Sequence, residues 1–135
     1  MAGLVLKLSP KKRVLLNGAV IENGERRSKF SIITPAAKIL RLRDAIRPED
    51  ANTPVARLCY DLQLVLTGDV QADLAGQTML LQLEELAQIF TDPDSVNKLD
   101  LATGFLVNGN FYQCLRALRA ILPFEKRLLA MGGEA

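Results

Sequence analysis

The chain has 135 residues, 49% of them hydrophobic and 24% charged, with a formal net charge of +2 and no histidine. That length suits one compact domain, or two small units sharing an interface, and the apolar content supports a core rather than disorder. The lack of histidine removes the usual general base, the commonest metal ligand and every His-based triad.

The small net charge conceals a division. Residues 1–47 carry 11 Lys/Arg against 3 Asp/Glu, whereas residues 48–135 carry 6 against 12. A basic half concentrates positive potential, which a polyanion such as RNA meets first. The opening MAGLVLKLSPKKR places its basic cluster after the apolar run, the reverse of a secretory signal. No window approaches the ~18 apolar residues of a membrane span. A cytoplasmic protein with no membrane partner is expected.

Along the chain, residues 3–8 alternate, with Leu4, Leu6 and Leu8 on one face and Val5 and Lys7 on the other, which predicts a strand. Ser9-Pro10-Lys11-Lys12 reads as a turn, and RVLL (13–16) as a second strand. Asn17-Gly18 and Asn23-Gly24 are both hairpin signals, flanking a third strand, AVIE. A fourth strand is expected over 27–34, ended by Pro35, with Phe30 and Ile32 facing the core. A fifth covers 38–43, with Leu40 and Leu42 on one face and Arg41 and Arg43 on the other. These five strands read as an antiparallel meander, apolar on one face and basic on the other.

The character changes near Pro48. Thr53-Pro54 is a helix start, because Thr caps and Pro suits the first helical position. Val55, Leu58, Cys59, Leu62, Val65 and Leu66 then follow helical spacing up to Gly68. A second helix is expected over 70–90, and a third over 94–107, capped from Thr91-Asp92-Pro93-Asp94-Ser95. A fourth spans 110–122, kinked by Pro123, with a last turn or two at 124–130 and a loose end from Met131. The fold class is therefore α+β: a basic antiparallel sheet over 1–47, then an acidic helical unit over 48–135. A β unit of that size is marginal alone. It should pack on the helices or pair its edge with a second copy as a homodimer.

Groups for catalysis are scarce. Glu84-Glu85 and Asp92/Asp94 read as a solvated helix face and a cap, and Cys59 and Cys114 as buried thiols outside any CxxC motif. No glycine spacing suggests a phosphate-cradling loop, so no enzyme and no cofactor are expected. The remaining candidates are cations. Lys7, Lys11, Lys12, Arg13, Arg26, Arg27, Lys29, Arg41 and Arg43 form an expected RNA-binding set, with Lys38 and Arg47 nearby. Phe30 is the only aromatic in this half, so phosphate contacts and Arg to base edges would supply affinity, not stacking. On the helical side, most apolar stripes should pack on one another, and one excess stripe on the second or fourth helix is available to a partner helix.

The stretches GLVLKLSPKKRVLLNGAVIENG, ILRLRDAIRPEDANTPVARLCYDLQLVLTGD, QIFTDPDS and GNFYQCLRALRAILPFEKRLLA resemble the FlbT family of alphaproteobacterial flagellar biosynthesis repressors over nearly the whole chain. The resemblance implies a post-transcriptional regulator that associates with the 5′ untranslated region of flagellin mRNA and promotes its decay. It also implies FlaF, or flagellin itself, as a protein counterpart. The basic half is similar in pattern to CsrA-type RNA regulators. In that likeness Lys7 and Lys11 to Arg13 occupy the first strand and turn, and Arg41 and Arg43 the last strand.

Overall fold

A computed structural model describes residues 4–34 and 37–132. Five strands, β1 (Leu4–Leu8), β2 (Arg13–Leu16), β3 (Ala19–Glu22), β4 (Ser28–Ile32) and β5 (Ile39–Arg41), precede five helices. These are α1 (Pro54–Thr67), α2 (Ala72–Ile89), α3 (Pro93–Val107), α4 (Phe111–Arg119) and α5 (Leu122–Gly132). The arrangement is the expected α+β, with strands first and helices after.

The strands do not form one meander. β1 pairs antiparallel with β4, and β2 lies between β3 and β5 in a separate sheet. Only β2 and β3 are joined as a hairpin. Asn17 and Gly18 there both adopt positive φ, +48° and +87°, the conformation that an Asn-Gly turn permits at least cost. Asn23-Gly24 is no hairpin turn. Neither residue has positive φ, and the chain leaves β3 to join a strand of the other sheet. Pro35, expected to end β4, lies outside the described residues, as does the start of β1 before Leu4.

Packing follows from the alternation. Leu6, Leu8, Val14, Ile39 and Leu40 are buried in the same contiguous core as Val55, Leu58, Cys59, Leu62, Val65 and Leu66 of α1. Each such aliphatic side chain contributes about 1.5–3 kcal/mol on burial. The small β unit thus gains its core from the helices, as its size demands. β3 is the exception: all four of its residues are exposed, and one of its edges is unpaired. Phe30, expected in the core, is 42% exposed. It stands across from Leu6 at the open side of a sheet only two strands wide.

Helix ends match their local chemistry. The Thr53 side chain accepts from the Ala56 N–H at 3.2 Å, Pro54 opens α1, and Gly68 closes it at φ +88°. Asp92 accepts from the Ser95 N–H at 2.9 Å, with Pro93 as the first residue of α3. Pro123 does not kink a long fourth helix. α4 stops at Arg119, and Pro123 falls in the first turn of α5, where its missing N–H costs nothing. α5 continues through Met131 and Gly132, where a loose end was expected, and residues 133–135 lie outside the described residues. Both cysteines are buried, and burial pushes each thiol up to about 12.

Candidate nucleic-acid interface

Six of the nine cations expected to contact RNA line one cleft of about 300 Å³. Lys7 comes from β1, Lys11 and Lys12 from the following turn, Arg13 from β2, and Arg41 and Arg43 from the end of β5 and the turn beyond it. Leu8, Ser9 and Leu42 complete the wall, and no carboxylate belongs to it. Arg26, Arg27 and Lys29 lie elsewhere. The two arginines are exposed in the connection before β4, and Lys29 stands directly across β1–β4 from Lys7. Two like charges facing each other across a strand pair repel.

Arg41 and Arg43 do not share a sheet face as expected. β5 ends at Arg41, and Leu42–Asp44 is a 3₁₀ turn, which rotates Leu42 away from the buried Leu40 and into the cleft wall. The cause lies beyond the strand. Tyr112 of α4 donates its hydroxyl to Asp44 Oδ2 at 2.9 Å, and Arg119 Nη1 donates to the Asp44 carbonyl at 3.0 Å. Burial, and then the bond to Asp44, push the Tyr112 hydroxyl above its usual range, so it remains a donor. These contacts turn the one carboxylate nearest Arg43 toward the helices. Arg43 itself keeps only a long 3.9 Å approach to Asp44. Arg119 thus ties α4 to this turn, and nothing local to it in the sequence signals this role.

The other wall depends on Asn23. Its buried side-chain amide donates to the carbonyls of Leu8, Ser9 and Arg26 at 3.1, 2.9 and 2.8 Å, and its Oδ1 accepts from the Ser28 hydroxyl at 2.8 Å. Its N–H bonds the Lys12 carbonyl at 2.8 Å, and the Lys11 N–H bonds the Gly24 carbonyl at 3.0 Å. The Ser9–Lys12 turn is thereby fixed from beneath. Pro10 holds the second position, and the Lys12 N–H closes on the Ser9 carbonyl at 3.2 Å. Lys11 takes φ +64° at the position where such a turn favours Gly or Asn.

The electrostatics are one-sided. Lys11–Glu25 at 2.8 Å and Arg13–Glu22 at 3.0 Å are the ion pairs of these cleft cations with residues of the β unit's surface. Exposed pairs of this kind contribute little and exchange readily with a competing anion. Arg41 differs: its Nε is buried without a hydrogen-bond partner. A guanidinium N–H in that state is shut away from water with its hydrogen-bonding capacity unmet, which costs free energy.

Elsewhere, Glu84 and Glu85 are solvated and Asp92 is a cap, as expected. Of the two helices expected to offer an excess apolar stripe, α2 keeps Leu74, Leu81 and Ile89 exposed, while Cys114, Leu115 and Leu118 of α4 are buried; α3 and α5 also expose Leu101, Val107, Leu129 and Met131. Among the described residues no helix is long and apolar enough to cross a membrane.

Comparison with known proteins bears on the whole chain. Residues 4–129 match the family model described as flagellar protein FlbT. A relative from Brucella abortus (strain S19), named probable flagellum biosynthesis repressor protein FlbT, is 28% identical over 124 residues, covering 92% of this chain and 80% of the relative. A relative of the same name from Chelativorans sp. (strain BNC1) is 28% identical over 129 residues, covering 96% and 88%. No solved structure matches the chain. With nearly its whole length matched, from β1 into α5, the chain belongs to the FlbT family of flagellar proteins.

Proposed function

We propose that this protein represses flagellum biogenesis after transcription, by binding the 5′ untranslated region of flagellin mRNA through its basic cleft. The names of its relatives support the repressor role. The observation that carries the RNA reading is the convergence of Lys7, Lys11, Lys12, Arg13, Arg41 and Arg43 on one carboxylate-free cleft. The protein has no part in cleavage under this reading. Occupying the leader blocks translation or leaves the message open to cellular ribonucleases.

The test is binding of purified protein to the leader at near-physiological salt, beside an unrelated RNA of equal length. Four to six phosphate contacts on a single strand give a log–log salt slope of roughly −3 to −4. Replacing Arg41 and Arg43 together by Ala should weaken binding and flatten the slope by about 1.4. Unchanged binding in that variant removes the cleft from the interface. A second reading rests on exposed Leu74, Leu81 and Ile89 of α2, which suit a protein counterpart such as FlaF or flagellin. Leader association that appears only when such a counterpart is added favours it.

A further inference from the structure

We infer that two copies of this chain associate through their helices, α5 of each lying on the outward face of α2 of the other. The inference is independent of the RNA reading. It gives to a second copy the α2 face that the second reading gives to a different protein, and the test separates the two.

The outward face of α2 is apolar along its middle and acidic at its border. Met79, Leu83 and Leu86 are buried in the core, whereas Leu74, Leu81 and Ile89 stand exposed. Spacings of seven and then eight residues keep those three on one side of a helix, opposite the buried set. Asp73, Glu84 and Glu85 are exposed on the same helix, and among the described residues none of them is in an ion pair. Nor is a cation near in sequence, since residues 58–97 hold seven Asp/Glu and no Lys/Arg. A surface that covers this face well is therefore both apolar and basic.

α5 has that chemistry. Every residue from Lys126 to Gly132 is exposed, Leu128, Leu129 and Met131 among them. A short helical stretch with no packed side is marginal in water, because helices in proteins gain most of their stability from a buried face. Lys126 and Arg127 open this stretch without an ion-pair partner among the described residues. Arg127 rests over the Phe124 ring, 5.6 Å from its centre. The adjacent carboxylate, Glu125, is turned inward to Thr53 and Val55, so it leaves the two cations uncompensated.

Within one chain these two surfaces do not meet. α5 reaches α2 on the core side of that helix, where the Phe124 and buried Phe90 rings lie 6.2 Å apart. Glu125 fixes the same turn of α5 to the start of α1. The outward face of α2 is left to another molecule, and a second copy supplies both complements at once. Under two-fold symmetry each α2 receives the other chain's α5, so one small contact is formed twice. That doubling matters because a stable interface needs about 800 Å² per partner.

The test is sedimentation of the whole chain over a range of concentrations. A dimer that dissociates at roughly micromolar concentration is expected. Leu81→Arg, at an exposed position, should weaken association about tenfold or more with an unchanged circular dichroism spectrum. Charge exchange gives the sharper readout. One variant carries Glu84→Lys and Glu85→Lys, and another carries Lys126→Glu and Arg127→Glu. Each alone should be monomeric, because like charges then face each other in both contacts. Their equimolar mixture should restore a dimer holding one chain of each kind. A parent chain that stays monomeric overturns the proposal and returns the α2 face to the second reading. It is equally overturned by a dimer that ignores either charge reversal, or by variants that remain monomeric on mixing. A dimer broken by Val20→Lys but not by Leu81→Arg would lie on the open edge of β3 instead. Leader binding measured on the same samples stands or falls separately, since no residue changed here lines the basic cleft.

Discussion

A buried carboxamide does more for the basic cleft than any of its cations. Asn23 shares its two amide hydrogens among three carbonyls and accepts a hydroxyl, so its removal takes a partner from each of these groups, the buried Leu8 oxygen among them. Each such loss carries a desolvation penalty. Asn23→Ala should therefore cost roughly 2–3 kcal/mol in urea unfolding, far above a surface substitution. A change within half a kcal/mol would show that water replaces the amide at no loss. The dipeptide Asn23-Gly24 resembles Asn17-Gly18 in every local respect, yet one is a turn and the other a buried anchor. What separates them is whether the next strand pairs with the previous one, a fact that no neighbouring residue encodes. Glycine and asparagine signal a bend, and only the tertiary pairing decides what the bend connects.

At the scale of elements, helix ends were legible because their causes are local. Thr53-Pro54, Gly68 and Asp92-Pro93 each satisfy or omit backbone donors within one turn, and each stands where its chemistry predicts. The end of β5 was not legible, because α4 sets it. Alternation in KILRLR continues through Arg43, but Tyr112 and Arg119 hold Asp44 and pull Leu42–Asp44 into a 3₁₀ turn. That places Arg43 under the control of a helix some 70 residues away. Tyr112→Phe removes the hydroxyl donor and should cost about 1–2 kcal/mol. It should also weaken leader binding, although Tyr112 is not part of the cleft wall. Stability that falls while RNA affinity stays constant would mean the turn keeps its position without this bond. Most of the cation set was legible from charge density alone. Its division was not, since Arg26 and Arg27 differ from Lys11 and Lys12 only in which way their connection runs across the sheets.

Across the whole molecule, the basic and acidic halves are one structure, because strand residues and helix residues occupy a common core. Under the RNA reading, the basic end faces the approaching polyanion while the acidic helices turn it away, which orients the encounter. Two long-range hydrogen bonds to one carboxylate tie α5 into that body. Glu125, 4% exposed, accepts the Val55 N–H at 2.9 Å and the Thr53 hydroxyl, so α5 completes the cap of α1 from 70 residues downstream. Glu125→Ala should cost about 2–3 kcal/mol by thermal or urea unfolding, with Glu125→Gln between it and the parent. A loss equal to that of an ordinary exposed glutamate would separate α5 from the stability of α1. The order of synthesis gives these bonds a further meaning. A ribosome delivers the basic strands and α1 well before the carboxylate that secures α1. A chain that stops before Glu125 carries every cleft cation on a scaffold without this fastening. The cap of α1 is thus completed only after every cleft cation has been made.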